Sequence, residues 1–313
     1  MPRYCLICSA GRSGSTLLDM LLGGHSKIAS LGEFSFFGKA IALDQLCSCG
    51  EPISGCCEWE RVFRRVELEK GISLKRNPYA LRQWDTHARV IIDRRQQTST
   101  YLAASKIRRV LSDIRFRLPA QSALRLPLSP SLRRGLENTI CLYEIVRKEW
   151  RRDVVVDSSK NVHKALAVYE ASPENTRIVF LTRDGRGVYW SYRRGGFSRA
   201  ASVAGWAGYY RRAVPLLNSR IAQDHLIRVR YEDLMRDTEG TLASISQFLG
   251  VSFEPAMTDL RNPVRHLSNG NDTRFARDRP IALDERWTRE MGEDELRYFQ
   301  SRGGRLNSQL GYA

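Results

Sequence analysis

The chain has 313 residues and a net charge of +16, with 42% hydrophobic and 27% charged residues, a composition typical of a folded globular protein. It contains no apolar run near the roughly 20 residues of a membrane span, and the apolar stretch after Met1 is too short for a signal peptide. Its seven cysteines, an odd number, favour reduced thiols over a disulfide framework. We therefore expect a cytoplasmic protein without a transmembrane segment. We also expect a single domain over residues 1–313, because no repeat or long linker divides the chain.

The first predicted elements are a buried strand over residues 4–8 and a helix that begins at Ser15. They are joined by the loop G-R-S-G-S-T, residues 11–16. A tight glycine turn from strand to helix points backbone N–H groups at one spot, where the helix dipole adds positive potential. The loop therefore predicts a phosphate-binding site, in which Gly14 allows close approach of the anion and Arg12 supplies a guanidinium.

This loop differs from the nucleoside-triphosphate loop G-x-x-x-x-G-K-[ST]. Only two residues separate Gly11 from Gly14, and Ser15 stands at the position of the lysine. The cation, Arg12, instead precedes the second glycine. For a loop this short, an ordinary Gly/Ser turn between a strand and a helix is the structural alternative.

Glu33 follows the first helix in an apolar setting, with Gly32 before it and Phe34, Phe36 and Phe37 after it. A carboxylate in apolar surroundings tends to have a raised pKa, which suits a general base. The alternative is a glutamate at a helix N-terminus, near the positive end of the macrodipole. The local sequence alone favours this alternative.

Four cysteines, Cys47, Cys49, Cys56 and Cys57, fall within 11 residues. Four thiolates can bind zinc tetrahedrally, but C-x-C followed by C-C is not a common zinc spacing. We therefore expect reduced or transiently paired cysteines and assign no metal ligands.

The positive charge is concentrated in one segment, residues 61–134, which holds 18 Lys/Arg against 5 Asp/Glu. Its pattern is mostly helical, with an interrupted apolar stripe over residues 85–114, and we treat residues 61–150 as a mostly helical insertion. A basic segment attracts polyanions such as nucleic acid, anionic lipid or an acidic polymer. A solvated surface is the alternative. Base-stacking aromatic residues are sparse in this segment, so we expect no nucleic-acid partner.

Three further strands are predicted in the second half of the chain, at residues 154–156, 178–181 and Leu226–Arg230. Helices are predicted between them and after them, including a C-terminal helical part over residues 283–310. Together with the first strand, this order predicts an α/β fold, a mostly parallel sheet with helices on both faces.

The loops after these strands carry polar groups, and ligands of open α/β sheets bind at the carboxyl ends of the strands. Residues 157–161, D-S-S-K-N, follow one strand, and Arg183 follows the next. Ser191 lies two turns into the helix after Arg183, where its hydroxyl can share an anion with the guanidinium.

Taken in order, these motifs resemble the sulfotransferases that use 3′-phosphoadenosine 5′-phosphosulfate (PAPS) as donor. The chain is most similar to a bacterial branch that resembles carbohydrate and tyrosylprotein sulfotransferases. The motifs that carry the resemblance are G-R-S-G-S-T-L-L at residues 11–18, G-E at 32–33, D-S-S-K at 157–160, R-D at 183–184 with Ser191, and V-R-Y-E-D-L at 229–234. They cover roughly residues 4–290.

The resemblance implies a role for each motif. The 5′-phosphosulfate would be held by the first loop, through Arg12, Ser13, Gly14, Ser15, Thr16 and Leu17. The 3′-phosphate would be held by Arg183 and Ser191. By likeness to the tyrosylprotein members, Glu33 would be the base, while Lys160, with Arg12, would steady the sulfuryl oxygens. Asn271, Arg274 and Trp287 resemble the late loop that closes over the nucleotide.

Two departures from the family bear on these roles. Many members have lysine where this chain has Arg12, and arginine can supply the same charge with bidentate reach. The cytosolic small-molecule sulfotransferases use a histidine base, whereas none of the five histidines here lies in a matching motif. This difference favours the branch with a glutamate base.

Sulfuryl transfer is an in-line displacement in which positioning and electrostatics dominate, so we expect no metal requirement and 3′,5′-ADP as the product nucleotide. The basic segment, tethered near the reaction centre, predicts an anionic acceptor such as an acidic glycan or lipid. The alternatives are a P-loop kinase or NTPase and a basic nucleic-acid-binding protein. The sequence specifies neither the acceptor nor an oligomeric state.

Overall fold

A computed structural model describes residues 1–84, 128–261, 264–278 and 280–312, with a few positions between 103 and 118. Its centre is a five-stranded sheet in the order β2-β3-β1-β4-β5, in which every neighbouring pair is parallel. The strands are β1 (Tyr4–Cys8), β2 (Ile28–Ser30), β3 (Val154–Asp157), β4 (Thr176–Thr182) and β5 (Leu226–Arg230). The first strand therefore lies in the middle of the sheet.

Helices are numbered along the described residues. They are α1 (Ser15–Leu22), α2 (Phe37–Ala42), α3 (Cys57–Lys70), α4 (Pro130–Glu149), α5 (Val162–Ala171), α6 (Gly185–Arg194), α7 (Arg199–Arg220), α8 (Tyr231–Arg236), α9 (Thr238–Phe248), α10 (Trp287–Glu290) and α11 (Glu293–Gln309). Short 3-10 turns lie at Phe34–Phe36, Gln223–His225, Pro255–Met257 and Asp272–Phe275.

The central strand faces two separate hydrophobic cores, because alternate side chains of a strand point to opposite faces. Tyr4, Leu6 and Cys8 belong to the larger core, which is rich in aromatic residues. Cys5 and Ile7 belong to the smaller core, together with buried leucines of α1. Helices therefore cover both faces of the sheet, which confirms the predicted α/β class and explains why its strands are apolar throughout.

The four predicted strands are confirmed, and the sheet is wholly parallel rather than mostly so. The sequence missed β2, which has only three residues and no alternation to mark it. The C-terminal helix α11 packs on the helices outside the sheet, where Phe299 contacts the ring of Trp206 at 5.5 Å between centroids. Residues 283–286, predicted as part of that helical region, are not helical.

The predicted insertion is only partly described. Its C-terminal helix, α4, packs on β3, where the Tyr143 hydroxyl donates to Asp157 at 2.5 Å. Residues 85–102 of the predicted apolar stripe lie outside the described residues. Where the stripe is described, Ile107, Val110 and Ile114 are helical and exposed. Among the described residues, no helix combines the length and apolar character needed to cross a bilayer.

Candidate active site

The predicted phosphate loop forms a sharp turn between β1 and α1. Gly14 caps α1 with φ of 88°, in the left-handed region that favours glycine. A Cβ atom at Gly14 would lie 2.6 Å from Cδ2 of Tyr231, so the loop also needs glycine for space. Arg12 adopts a left-handed backbone as well, with φ of 66°, although it is not a glycine. The turn thus brings a strained arginine to the N-terminus of a helix, where anions bind.

A cavity of about 440 Å³ lies at this end of the sheet. It is lined by ten of the thirteen predicted site residues, which are Arg12, Gly14, Ser15, Thr16, Leu17, Glu33, Lys160, Arg183, Ser191 and Asn271. These residues come from six separate stretches of sequence. The fold therefore brings together in one cavity motifs that are far apart in the sequence.

Two predicted site residues have other partners. The Ser13 hydroxyl is fully buried, 3.3 Å from the Tyr210 hydroxyl, so its side chain belongs to the core beneath the loop. The buried guanidinium of Arg274 donates to the backbone carbonyl oxygens of Gly270 and Leu46. Neither residue lines the cavity, and Arg274 instead bonds the backbone of the late loop and of Leu46.

Glu33 and Lys160 form an ion pair in the cavity, with 2.6 Å between Oε1 and Nζ. Their side chains are 20% and 17% exposed, so solvent reaches both. Glu33 directly precedes the turn Phe34–Phe36, yet its carboxylate makes no capping bond there. The partner of the carboxylate is Lys160 instead. Lys160, like Arg12, has a left-handed backbone, with φ of 60°.

Arg183 joins the two predicted phosphate motifs. Its guanidinium donates to the carbonyl oxygen of Arg12 at 3.0 Å and stacks on the Tyr231 ring, 4.3 Å from the centroid. The Arg183 side chain is buried and also pairs with Asp284, at 3.3 Å between Nη2 and Oδ2. Ser191 lines the cavity at the same end and is half-buried.

Sequence reasoning missed Asp284 and Arg286, which also line the cavity. Hydrogen bonds from Arg286, with 2.6 Å from Nε to Oδ1, and the nearby charge of Arg183 hold the pKa of Asp284 well below its usual range. The signal was the polar run D-E-R at 284–286 beside Trp287, the residue already assigned to the late loop. Trp287 itself lies outside the 440 Å³ cavity and stacks with Arg186 at 4.4 Å.

Asp157 ends β3 in the way that the magnesium-holding aspartate ends a strand in an NTPase. Here its carboxylate is buried and paired with Lys164 at 2.7 Å, and it also accepts from Tyr143. Although burial opposes ionisation, the Lys164 ammonium keeps the pKa of Asp157 below its ordinary value. The other carboxylate oxygen, Oδ1, accepts from the Ser159 N–H at 2.7 Å, so both oxygens have protein partners and Asp157 is a structural residue.

A second buried carboxylate, Asp19 of α1, lies behind the phosphate loop. It accepts hydrogen bonds from the hydroxyls of Ser30 at 2.5 Å and Ser158 at 2.6 Å. Burial raises the pKa of Asp19 to about 7, although the two hydroxyls oppose the rise. Asp19 therefore ties α1 to the edge strand and to the stretch that carries Lys160.

Comparison with known proteins gives one family. Residues 5–255 match the family model described as the sulfotransferase family. No curated protein sequence matches the chain at a significant level.

Two solved structures resemble the whole chain. The sulfotransferase domain of the Synechococcus PCC 7002 olefin synthase is 18% identical, with a TM-score of 0.56 over 100% of this chain and 95% of that one. The sulfotransferase domain from the curacin biosynthetic pathway is 19% identical, with a TM-score of 0.55 over 100% and 99%. At identities this low, the likeness establishes the fold only.

Proposed function

This chain belongs to the sulfotransferase family, and on that premise we propose that it transfers a sulfuryl group from PAPS to a hydroxyl or amine of an acceptor. The observation that carries the proposal is the single cavity in which the phosphate loop, the Glu33–Lys160 pair and Arg183 meet. PAPS carries a 5′-phosphosulfate and a 3′-phosphate, and the cavity is lined by the cations Arg12, Lys160, Arg183 and Arg286. The fit of charge supports PAPS as the donor.

The backbone N–H groups that begin α1 and the Arg12 guanidinium would hold the 5′-phosphosulfate. Arg183 and Ser191 would hold the 3′-phosphate. Arg183 is fixed from three sides, by the Arg12 carbonyl, Asp284 and the Tyr231 ring. The Arg183 guanidinium is therefore already oriented before the nucleotide binds. Little side-chain entropy remains to be lost on binding.

In the reaction, the acceptor oxygen or nitrogen attacks sulfur while the bond from sulfur to the 5′-phosphate oxygen breaks. The acceptor proton passes to the Glu33 carboxylate, and 3′,5′-ADP leaves as an anion. The Lys160 ammonium, free to exchange Glu33 for the sulfuryl oxygens, would stabilise the negative charge on them. The close Glu33–Lys160 pair thus supports two roles that depend on PAPS binding. Lys160 would move from Glu33 to the sulfuryl group, and the Glu33 carboxylate would then be available to accept a proton.

Part of the basic segment packs against the residues that follow the proposed base. The Gln83 side chain donates to the carbonyl oxygen of Phe34 at 2.8 Å, and Tyr79 lies against Gly38. Because Phe34 follows Glu33 directly, this part of the basic segment lies close to the proposed base. The positive charge of this segment supports an anionic acceptor, such as an acidic glycan or lipid.

A thermal-shift comparison of nucleotides tests the donor site. We expect 3′,5′-ADP at about 100 times its Kd to stabilise the protein by roughly 2.7 kcal/mol, and ATP or 5′-AMP at the same concentration to give much less. The Arg12→Ala variant should lose this stabilisation and any turnover of labelled PAPS. Arg305→Ala, which removes an exposed arginine of α11, is the matched control. Stabilisation by ATP that depends on magnesium and exceeds that by 3′,5′-ADP would refute the proposal and favour the kinase or NTPase alternative.

A further inference from the structure

Three cysteines and one histidine meet at a point that the proposed reaction does not use. The ligand atoms of Cys47, Cys49, Cys56 and His266 all lie within 4.8 Å of one another. Nδ1 of His266 is 3.2 Å from Sγ of Cys56 and 3.9 Å from Sγ of Cys47. Cys57, the fourth cysteine of the sequence cluster, is exposed and takes no part.

These distances are close to those around a tetrahedral metal ion. Zinc–sulfur bonds of about 2.3 Å place neighbouring sulfurs about 3.8 Å apart, and three cysteines with one histidine form a common structural zinc set. Four protein ligands close the coordination sphere, whereas a catalytic zinc keeps one position for water or substrate. The cluster thus has the composition and spread of a closed structural site.

Two local backbone features hold the cysteine ligands in place. The segment 47–50 folds into a turn, with Gly50 N–H donating to the Cys47 carbonyl at 2.9 Å. Cys56 is the residue that caps the N-terminus of α3, where the helix dipole favours a thiolate. Such a position supports metal binding, because the thiolate is the ligand form of cysteine.

His266 is fixed by its own neighbours along the chain. Its carbonyl accepts from the Trp59 indole at 3.0 Å. The Ser48 hydroxyl donates to the Arg265 carbonyl at 2.7 Å and accepts from the Leu267 N–H at 2.8 Å. The turn that carries two of the cysteines and the irregular segment that carries the histidine are therefore paired by hydrogen bonds on both sides of His266.

We propose that Cys47, Cys49, Cys56 and His266 bind a structural zinc ion. The ion would cross-link two parts of the chain that are more than 200 residues apart in sequence. Three residues after His266, the Asn269 carbonyl accepts from the Glu33 N–H at 3.0 Å, and beyond it Asn271 reaches the Thr16 hydroxyl at 3.4 Å. The zinc site therefore fixes the late loop against both the proposed base and the phosphate loop.

Metal analysis of the full chain tests this proposal. The protein is purified without a metal-affinity tag, dialysed, and measured by plasma mass spectrometry. We expect one zinc ion per chain, lost in Cys56→Ser and retained in Cys57→Ser, which removes the adjacent exposed thiol. Zinc-free protein refilled with Co²⁺ should show the intense thiolate-to-cobalt charge-transfer band and the visible bands of tetrahedral cobalt.

The wild-type measurements stand even where Cys56→Ser fails to fold. Native protein without stoichiometric metal, with its thiols free or joined in a disulfide, would overturn the proposal. So would equal loss of zinc in Cys57→Ser, or a cobalt spectrum without thiolate character. None of these readouts depends on nucleotide binding, so the zinc site and the proposed sulfotransfer can fail separately.

Discussion

The buried carboxylate of Asp19 makes the stability of this protein depend on pH in an unusual direction. Burial raises its pKa to about 7 in the folded chain, whereas an aspartate in an unfolded chain titrates near 3.9. Between these values the folded state holds a proton that the unfolded state has released. Stability is therefore greatest at the acid end of this range and falls as pH rises towards 7.

The size of the effect follows from the pKa difference. Each pKa unit corresponds to about 1.36 kcal/mol, so the loss between pH 5 and pH 7 is roughly 2–3 kcal/mol of unfolding free energy. No discount for solvent screening applies, because Asp19 is fully buried. The negative charge of the buried Asp157 also raises the pKa of Asp19, because it disfavours a second negative charge nearby.

The Asp19→Asn variant isolates this contribution. Asparagine keeps the size of the side chain and can hydrogen-bond Ser30 and Ser158 without a titratable proton. Urea unfolding at steps from pH 5 to pH 8 should show the wild type losing roughly 2–3 kcal/mol relative to the variant. Asp278→Asn, at an exposed aspartate, controls for the change in net charge. Parallel curves for the wild type and Asp19→Asn would mean that Asp19 is ionised in the fold and would refute the reasoning.

Three predictions concern the reaction itself. Glu33→Gln should keep 3′,5′-ADP affinity and lose at least 100-fold in kcat, since it removes the proton acceptor but preserves shape; weakened nucleotide binding by calorimetry would instead make Glu33 a donor-site residue. Arg183→Ala should lose the preference for 3′,5′-ADP over 5′-AMP, because a charge-assisted bond contributes about 1.5–3 kcal/mol; an unchanged preference would place the 3′-phosphate elsewhere. Arg76→Glu, an exposed position in the basic segment, should raise the acceptor KM and weaken its salt dependence, with donor affinity intact and Arg305→Glu as control. A neutral best acceptor with salt-independent rates would contradict this last expectation.

The parts of the site that depend on local chain geometry could be predicted from the sequence. Gly14, Lys160 and Arg183 each lie in the stretch that follows a strand, and the carboxyl ends of parallel strands meet at one edge. Site residues outside the loops that follow the strands were harder to predict from the sequence. Arg286 lies in a loop far along the chain, without a periodic pattern to locate it.

The cysteine cluster also shows what sequence spacing alone does not predict. The sequence grouped Cys57 with its neighbours because it is adjacent to Cys56, but consecutive residues point in different directions at a helix start. The fourth ligand atom comes from His266, on a segment brought there by backbone pairing with the turn at residues 47–50. A contact between such distant stretches is a property of the tertiary fold, and spacing along the chain does not encode it.

The left-handed backbones of Arg12 and Lys160 lower the stability of the fold, whereas their side chains supply the cations of the proposed reaction. A side chain other than glycine in that conformation costs on the order of 1 kcal/mol, and asparagine or glycine tolerates it better. A selection for heat resistance alone would therefore accept Lys160→Asn or Arg12→Gly as neutral or beneficial changes. Each change would remove a cation from the cavity, so a variant selected only for thermal stability would lose the proposed activity.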